Sequence, residues 1–294
     1  MPTFQTPNPI DLAINLQVGA LNVYASDRDD TVVTLSPTNP AKAVDRRGVE
    51  DTKVVFDGDR LTITGPKPRI SWIGAGPTDS VDVGVELPTG SRLTVEIAVG
   101  GVRTFGRLGA TRVKALTGAV DLDHTRDLWM RAGHGSAEVR TADGSIEVIA
   151  DHGWIRIGKV AGDTILKASH GGIQVGEAGG ELEAKLSYGD LEIGKALASV
   201  TAKTAYGAIQ LGEVSSGSIQ VESGFGQVSI GVRAGVPAWL DLSSKDGRVR
   251  NELEGDRAPD TSEETVAVRA RTQFGDIAIR RSTTRDNDQK GRNR

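Results

Sequence analysis

The sequence predicts an all-β fold, a parallel β-helix or β-solenoid of about 18 residues per coil, with an irregular β cap at the N-terminus. Three observations predict it. The composition is rich in glycine and poor in aromatics, a ring-glycine pair returns at a fixed step, and apolar residues alternate with polar ones inside each step.

The chain has 294 residues, with 37 glycines, 11 prolines, and only 5 Phe, 3 Tyr and 4 Trp. Its apolar content rests on Val, Ile, Leu and Ala in short runs, which points to strands and tight turns. No window carries an apolar stripe at helical spacing.

The repeat is explicit. His134-Gly135, His152-Gly153, His170-Gly171, Tyr188-Gly189 and Tyr206-Gly207 follow one another at one spacing, and Phe225-Gly226 comes one residue late. Val99-Gly100 and Thr117-Gly118 keep the beat upstream without a ring. Asp246-Gly247 and Phe274-Gly275 continue it downstream with longer gaps. Within one unit Ile146, Val148 and Ala150 alternate with Glu147, Ile149 and Asp151. After the glycine, Ile155 and Ile157 alternate with Trp154 and Arg156. Alternate side chains of a strand face opposite sides. One such strand buries a single apolar row and does not fold alone; stacked copies turn each row into a continuous core. Ala132, Ala150, Ala168, Ala184 and Ala202 suggest a shared narrow corner. Val160, Ala178, Ala196 and Val214 suggest a short third face.

Residues 1–90 lack the beat and read as a cap or irregular first coils, with strands at Asp11–Val18, Leu21–Ala25, Thr31–Leu35, Lys53–Phe56, Leu61–Thr64 and Ser80–Leu87. Segments 38–51 and 65–79 read as loops. The repeats occupy 91–253, with Pro237 and Trp239 placed to close the core. Residues 254–281 read as a closing coil, with a polar loop at 254–263, and 282–294 as a disordered tail.

Charge narrows the function. With 35 basic and 39 acidic residues the net charge is −4, which offers no global field for nucleic acid. The chain has no cysteine, so disulfides and thiolate sites are excluded. The N-terminal MPTFQTPNPIDLAINL has no signal-peptide pattern, and no apolar run is long enough to span a membrane. The expected location is cytoplasmic.

Several groups are candidates for chemistry. His134, His152 and His170 fill one slot of three successive coils, so neighbouring imidazoles are candidates to share a metal or to respond to pH. Tyr188, Tyr206 and Phe225 continue the column, and these do not replace metal ligands. The slot therefore reads as a demand for a ring, and no cofactor is expected. A calcium roll needs an aspartate in each turn, which Gly171-Gly172-Ile173-Gln174-Val175 lacks. No nucleophile, zinc or phosphate-loop motif occurs, so no enzyme is expected. The basic tail Arg280, Arg281, Arg285, Lys290, Arg292 and Arg294 reads first as a solubilising end. Glu138, Arg156, Gln174, Glu192, Gln210 and Ser229 form one outward row. Trp129 and Trp154 fall on outward slots and are the binding candidates, against the alternative that terminal segments cover them.

The repeated G-x-I/L-x-V/I pattern over Gly144–Gly194, with the segments Ala238–Leu253 and Val266–Ser282, resembles a bacterial β-strand-repeat family of unknown function labelled putative adhesins. Ser26–Asp45 and Val81–Leu93 resemble its soluble, signal-less branch. The resemblance implies a β-helical fold and no established activity. The expected role is a non-catalytic interaction module or scaffold with a protein or glycan partner. The alternatives are a self-associating, bactofilin-like filament protein and a glycan-acting enzyme.

Overall fold

The computed structural model describes residues 1–66, 70–71, 74–75, 79–253 and 265–282. The polar loop expected at 254–263 and the tail beyond 282 lie outside them. The chain divides into two units, Met1–Gly171 and Gly172–Arg294. Each is a stack of two-stranded coils, in which one strand joins a ring sheet, ending at the ring slot, and the next joins a second sheet.

In the first unit the repeated coils pair in parallel. Leu128–His134, Ile146–His152 and Thr164–His170 run side by side in the ring sheet, with Ala132 against Ala150 and Ala150 against Ala168. Val120–Thr125, Ala137–Ala142 and Ile155–Val160 do the same in the second sheet. Ile146, Val148, Ala150, Ile155 and Ile157 point inward and are buried, which is the alternation expected from the sequence. The corner glycines are obligatory. Gly135 and Gly153 have φ of 143° and 136°, a region that side chains disfavour. The Gly135 amide also donates to the His152 carbonyl at 2.9 Å, tying one corner to the next.

The N-terminal end of this unit is threaded out of order. Asp11–Val18 pairs in parallel with Arg92–Val99 on one side and with Arg60–Thr64 on the other. Leu21–Ser26 likewise lies between Val102–Arg107 and Val81–Pro88. The first coil in sequence is thus enclosed by two later ones. Antiparallel strands finish the stack: Lys53–Asp57 against Arg60–Thr64, Asp30–Pro37 against Val81–Pro88, and Thr3–Gln5 against Asp30–Pro37. The outer coil is sealed, with Leu61, Ile63, Val85 and Leu87 fully buried. Arg28 donates to Asp30 at 2.7 Å and also pairs with Glu86. These hydrogen bonds raise the arginine further above its usual value and hold Asp30 below the usual carboxylate range.

In the second unit Leu182–Tyr188, Val200–Tyr206 and Gly217–Phe225 form the ring sheet in sequence order. Ile173–Ala178, Leu191–Ala196, Ile209–Val214 and Val228–Val232 form the second sheet. Then the order changes again. Val266–Phe274 lies between Gly217–Phe225 and Ala238–Asp246, and Ile277–Arg281 lies between Val228–Val232 and Val249–Asn251. The outermost coil is therefore 238–251, and the C-terminal coil is enclosed. The long gaps from Phe225 to Asp246 to Phe274 reflect this order.

Several expectations are corrected. Segment 38–51 holds the helix Ala43–Asp51. Its buried face is Asp45 and Gly48, not an apolar stripe, so the usual helix signal is missing. Asp45 accepts the Asn39 amide at 3.1 Å and the Ser80 amide at 3.3 Å, while Gly48 lies close against Asp79 and Val81. Within 65–79, Ile70–Ser71 pairs with Gly74–Ala75. The third face is absent among the described residues. Val160, Ala178, Ala196 and Val214 end strands of the second sheet, which run unbroken through Gly158, Gly176, Gly194 and Gly212. At Gly158 a side chain would strike the Arg140 carbonyl. Ala184 and Ala202 pair with each other, but two positions farther from the corner than Ala132, Ala150 and Ala168. The corner slot there holds Leu186, Thr204, Ser223 and Thr272. Trp239 points outward, 68% exposed, because it has the opposite parity to the inward Leu240 and Leu242.

Candidate functional site

The ring sheet of the first unit has an outer face on which strand register sets the columns. Register places Ala13 beside Thr94, Thr94 beside Arg112, and Arg112 beside Trp129. Trp129 is half-buried, and the Arg112 guanidinium lies 3.8 Å from its ring centre. A cation over an indole face is held by the ring's quadrupole, and the stacked pair presents a flat, rigid edge. Beside it lies an open groove of about 500 Å³ that includes Ala13, Thr94, Arg60 and Arg92. Ala13 and Thr94 are small, and that shortness makes the hollow.

A second groove of about 450 Å³ runs along the other half of the same face, past Asn15, Glu96, Lys114, Leu116 and Arg131. Leu116 is 61% exposed. Gly133 cannot carry a side chain, since its Cβ would stand 2.4 Å from the Leu116 carbonyl oxygen. The hollow is therefore built into the backbone.

The charged groups of these grooves are mostly paired. Arg92 Nη2 donates to Asp11 at 2.7 Å, which pushes the arginine further up from its usual value. Arg126 lies 3.1 Å from Asp127, and Arg131 lies 3.8 Å from Asp151. Among the described residues no group of three or more His, Cys, Asp or Glu is placed to hold a metal.

The sequence candidates fall in different places. Trp154 is 49% exposed at the turn into the second sheet, with Arg156 5.9 Å from its ring centre. It is not part of either groove. The histidines do form a ladder: His134 and His152 stack with centres 4.6 Å apart, and His152 and His170 at 4.9 Å with planes 3° apart. Parallel rings aim their nitrogen lone pairs side by side, whereas a shared ion needs them to converge at about 2.0–2.1 Å. In the second unit Tyr188, Tyr206, Phe225 and Phe274 stack in the same manner at 4.7–5.0 Å. The outward row also forms within each unit, with Glu138 beside Arg156, and Gln174 beside Glu192 at 3.4 Å.

Sequence reasoning missed Arg112 and the grooves. Aligning Thr117 with His134 would have found the arginine, because that register sets Arg112 beside Trp129. It also missed His124, whose Nε2 lies 2.8 Å from Asp143, with Arg107 3.8 Å from the same carboxylate. No repeat position flags that group. Among the described residues, no helix is long and apolar enough to cross a membrane.

No family model matches the chain, and no curated protein matches it. Solved structures do. A "putative cell adhesion protein" from Clostridium sporogenes aligns at 13% identity and TM-score 0.21, over 95% of this chain and 98% of that one. A "putative adhesin" from Bacteroides fragilis aligns at 12% identity and TM-score 0.33, over 95% of each chain. Another from Parabacteroides distasonis aligns at 12% identity and TM-score 0.27, over 94% of this chain and 95% of that one.

Proposed function

We propose that the chain is a non-catalytic, adhesin-like interaction module, and that a protein or glycan partner lies across the grooved outer face of the first unit. The observation that carries this reading is Trp129 held under Arg112 at the border of a hollow that includes Ala13 and Thr94. The Arg112 guanidinium, backed by the Trp129 ring, stands next to the small residues, and a braced wall of this kind suits a sugar ring or an apolar side chain. The flanking guanidinium supplies hydrogen-bond donors.

The pairing of Asp11, Asp127 and Asp151 with arginines argues against a catalytic reading. Glycoside chemistry needs one carboxyl kept protonated and a second one free to act. A filament reading needs two open stack ends, and antiparallel strands close the N-terminal end.

The test is a glycan array together with capture of proteins from native cells, using the native chain, Trp129→Ala and Trp154→Ala. Loss of a central aromatic anchor weakens binding by about 30-fold or more. The expected result is that loss for Trp129→Ala alone. Equal binding by all three proteins contradicts the site. A cleaved glycan product seen by mass spectrometry contradicts the non-catalytic assignment.

A further inference from the structure

The outer coils of the two units are finished differently. The outer coil at the N-terminal end is sealed by antiparallel strands. The outer coil of the second unit, 238–251, is not sealed. Ala238–Asp246 and Val249–Asn251 are the last strands of their sheets, and among the described residues no strand pairs with their outer edges. Their inward side chains continue buried columns without being buried. Leu240 and Leu242 follow Val268 and Ala270 but are half-exposed, and Val249 follows Ile277 but is 45% exposed. Exposed apolar strand edges of this kind are templates for further pairing.

The chain's own remaining segments in this unit are poor covers. Residues 254–264 (EGDRAPDTSEE) and 283–294 (TTRDNDQKGRNR) contain no Val, Ile, Leu, Met or aromatic side chain to lay over Leu240, Leu242 and Val249. A matching occupant needs two strands at the sheet separation with an apolar row between them, and this chain presents that itself. The rim suits self-pairing too. Asp241, Asp246 and Glu252 balance Lys245, Arg248 and Arg250, so two copies meet without net repulsion. An antiparallel self-pair centred on Leu242 sets Trp239 across from Lys245 and keeps the inward row inward.

We propose that a second copy of this chain occupies this edge, giving a closed, two-fold, edge-to-edge dimer and not a filament. A two-fold self-pair uses up the free edge of both copies, so assembly stops at two. This proposal is independent of the grooved face.

The test is sedimentation of the full chain over a wide concentration range, with Leu240→Lys as the interface variant. Ser243→Cys and Asp59→Cys supply single thiols, since the chain has no cysteine of its own. The expected results are a mass that doubles and then stops rising, and a single-chain mass for folded Leu240→Lys. A short bis-maleimide should yield cross-linked pairs for Ser243→Cys and not for Asp59→Cys. If Leu240→Lys does not fold, the two cysteine variants still decide. A single-chain mass at every concentration overturns the proposal. So does a mass growing beyond two chains, or cross-linking at Asp59→Cys in place of Ser243→Cys. A monomer in which the Ala238–Asp246 amides that face away from Val266–Phe274 also resist hydrogen exchange overturns it, because the chain then covers its own edge.

Discussion

Gly153 and Gly135 meet backbone to backbone: a Cβ on Gly153 would stand 2.0 Å from the Gly135 carbonyl oxygen. The same contact joins Gly171 to Gly153 and, in the second unit, Gly207 to Gly189. The coil spacing is thus set at the corner by the absence of a side chain. Each glycine also holds a positive φ that other residues adopt only under strain.

Gly153→Ala should therefore destabilise the fold strongly, by about 2–4 kcal/mol from steric conflict and backbone strain together. Gly58→Ala is the control, since its φ is also positive but nothing lies within 4 Å of its Cβ. Denaturant melts of both variants should show the larger loss at Gly153. Equal losses would mean that strain alone matters and that the corner contact does not set the spacing.

The ring ladder should depend on planarity, not on imidazole chemistry. Tyr206 stacks between Tyr188 and Phe225 with planes within 5°. Tyr206→Ser should cost about 1–2 kcal/mol, the loss of two stacking contacts and some burial. His152→Tyr should change stability by less than about 1 kcal/mol. Thermal melts in metal-free buffer check both. A large loss for His152→Tyr would indicate a specific role for the imidazole.

How far the sequence could be read follows from where each signal lives. The strand Asp11–Val18 is visible in its alternation, because parity is a local property. Its partner is not, because Asp11 pairs with Arg92 across 81 positions and no periodicity spans that distance. The helix Ala43–Asp51 stayed hidden because its buried face is a carboxylate and a glycine, held by hydrogen bonds to Asn39 and Ser80. At the site, Trp129 was legible as an outward aromatic. Arg112 was not, since its role depends on exact alignment of neighbouring coils. The grooves were invisible for a related reason: they arise from small residues at Ala13, Thr94 and Gly133, which carry no motif.

The N-terminal cap should respond to acid through Arg28. Asp30 is held below the usual carboxylate range by its hydrogen bond to Arg28. A carboxyl depressed in the folded state contributes stability above its unfolded pKa and loses it as pH falls through the lowered value. Arg28→Met should thus be less stable than the native chain at neutral pH. The gap should narrow below about pH 4 as Asp30 protonates. Urea melts at a series of pH values check this. A gap that stays constant down to the lowest pH would assign the effect to packing of the arginine stem.

The most direct measurement of the stacked architecture is disulfide formation in a chain with no native thiols. Ala13 lies between Thr62 and Thr94 on neighbouring parallel strands. The double variants Ala13→Cys with Thr62→Cys, and Ala13→Cys with Thr94→Cys, should each form an intramolecular disulfide under mild oxidation, at Cα separations that such bonds accept. Peptide mapping should find both bonds, one on either side of the first coil. Failure of both pairs to link in folded protein would contradict the enclosed coil and the register built on it.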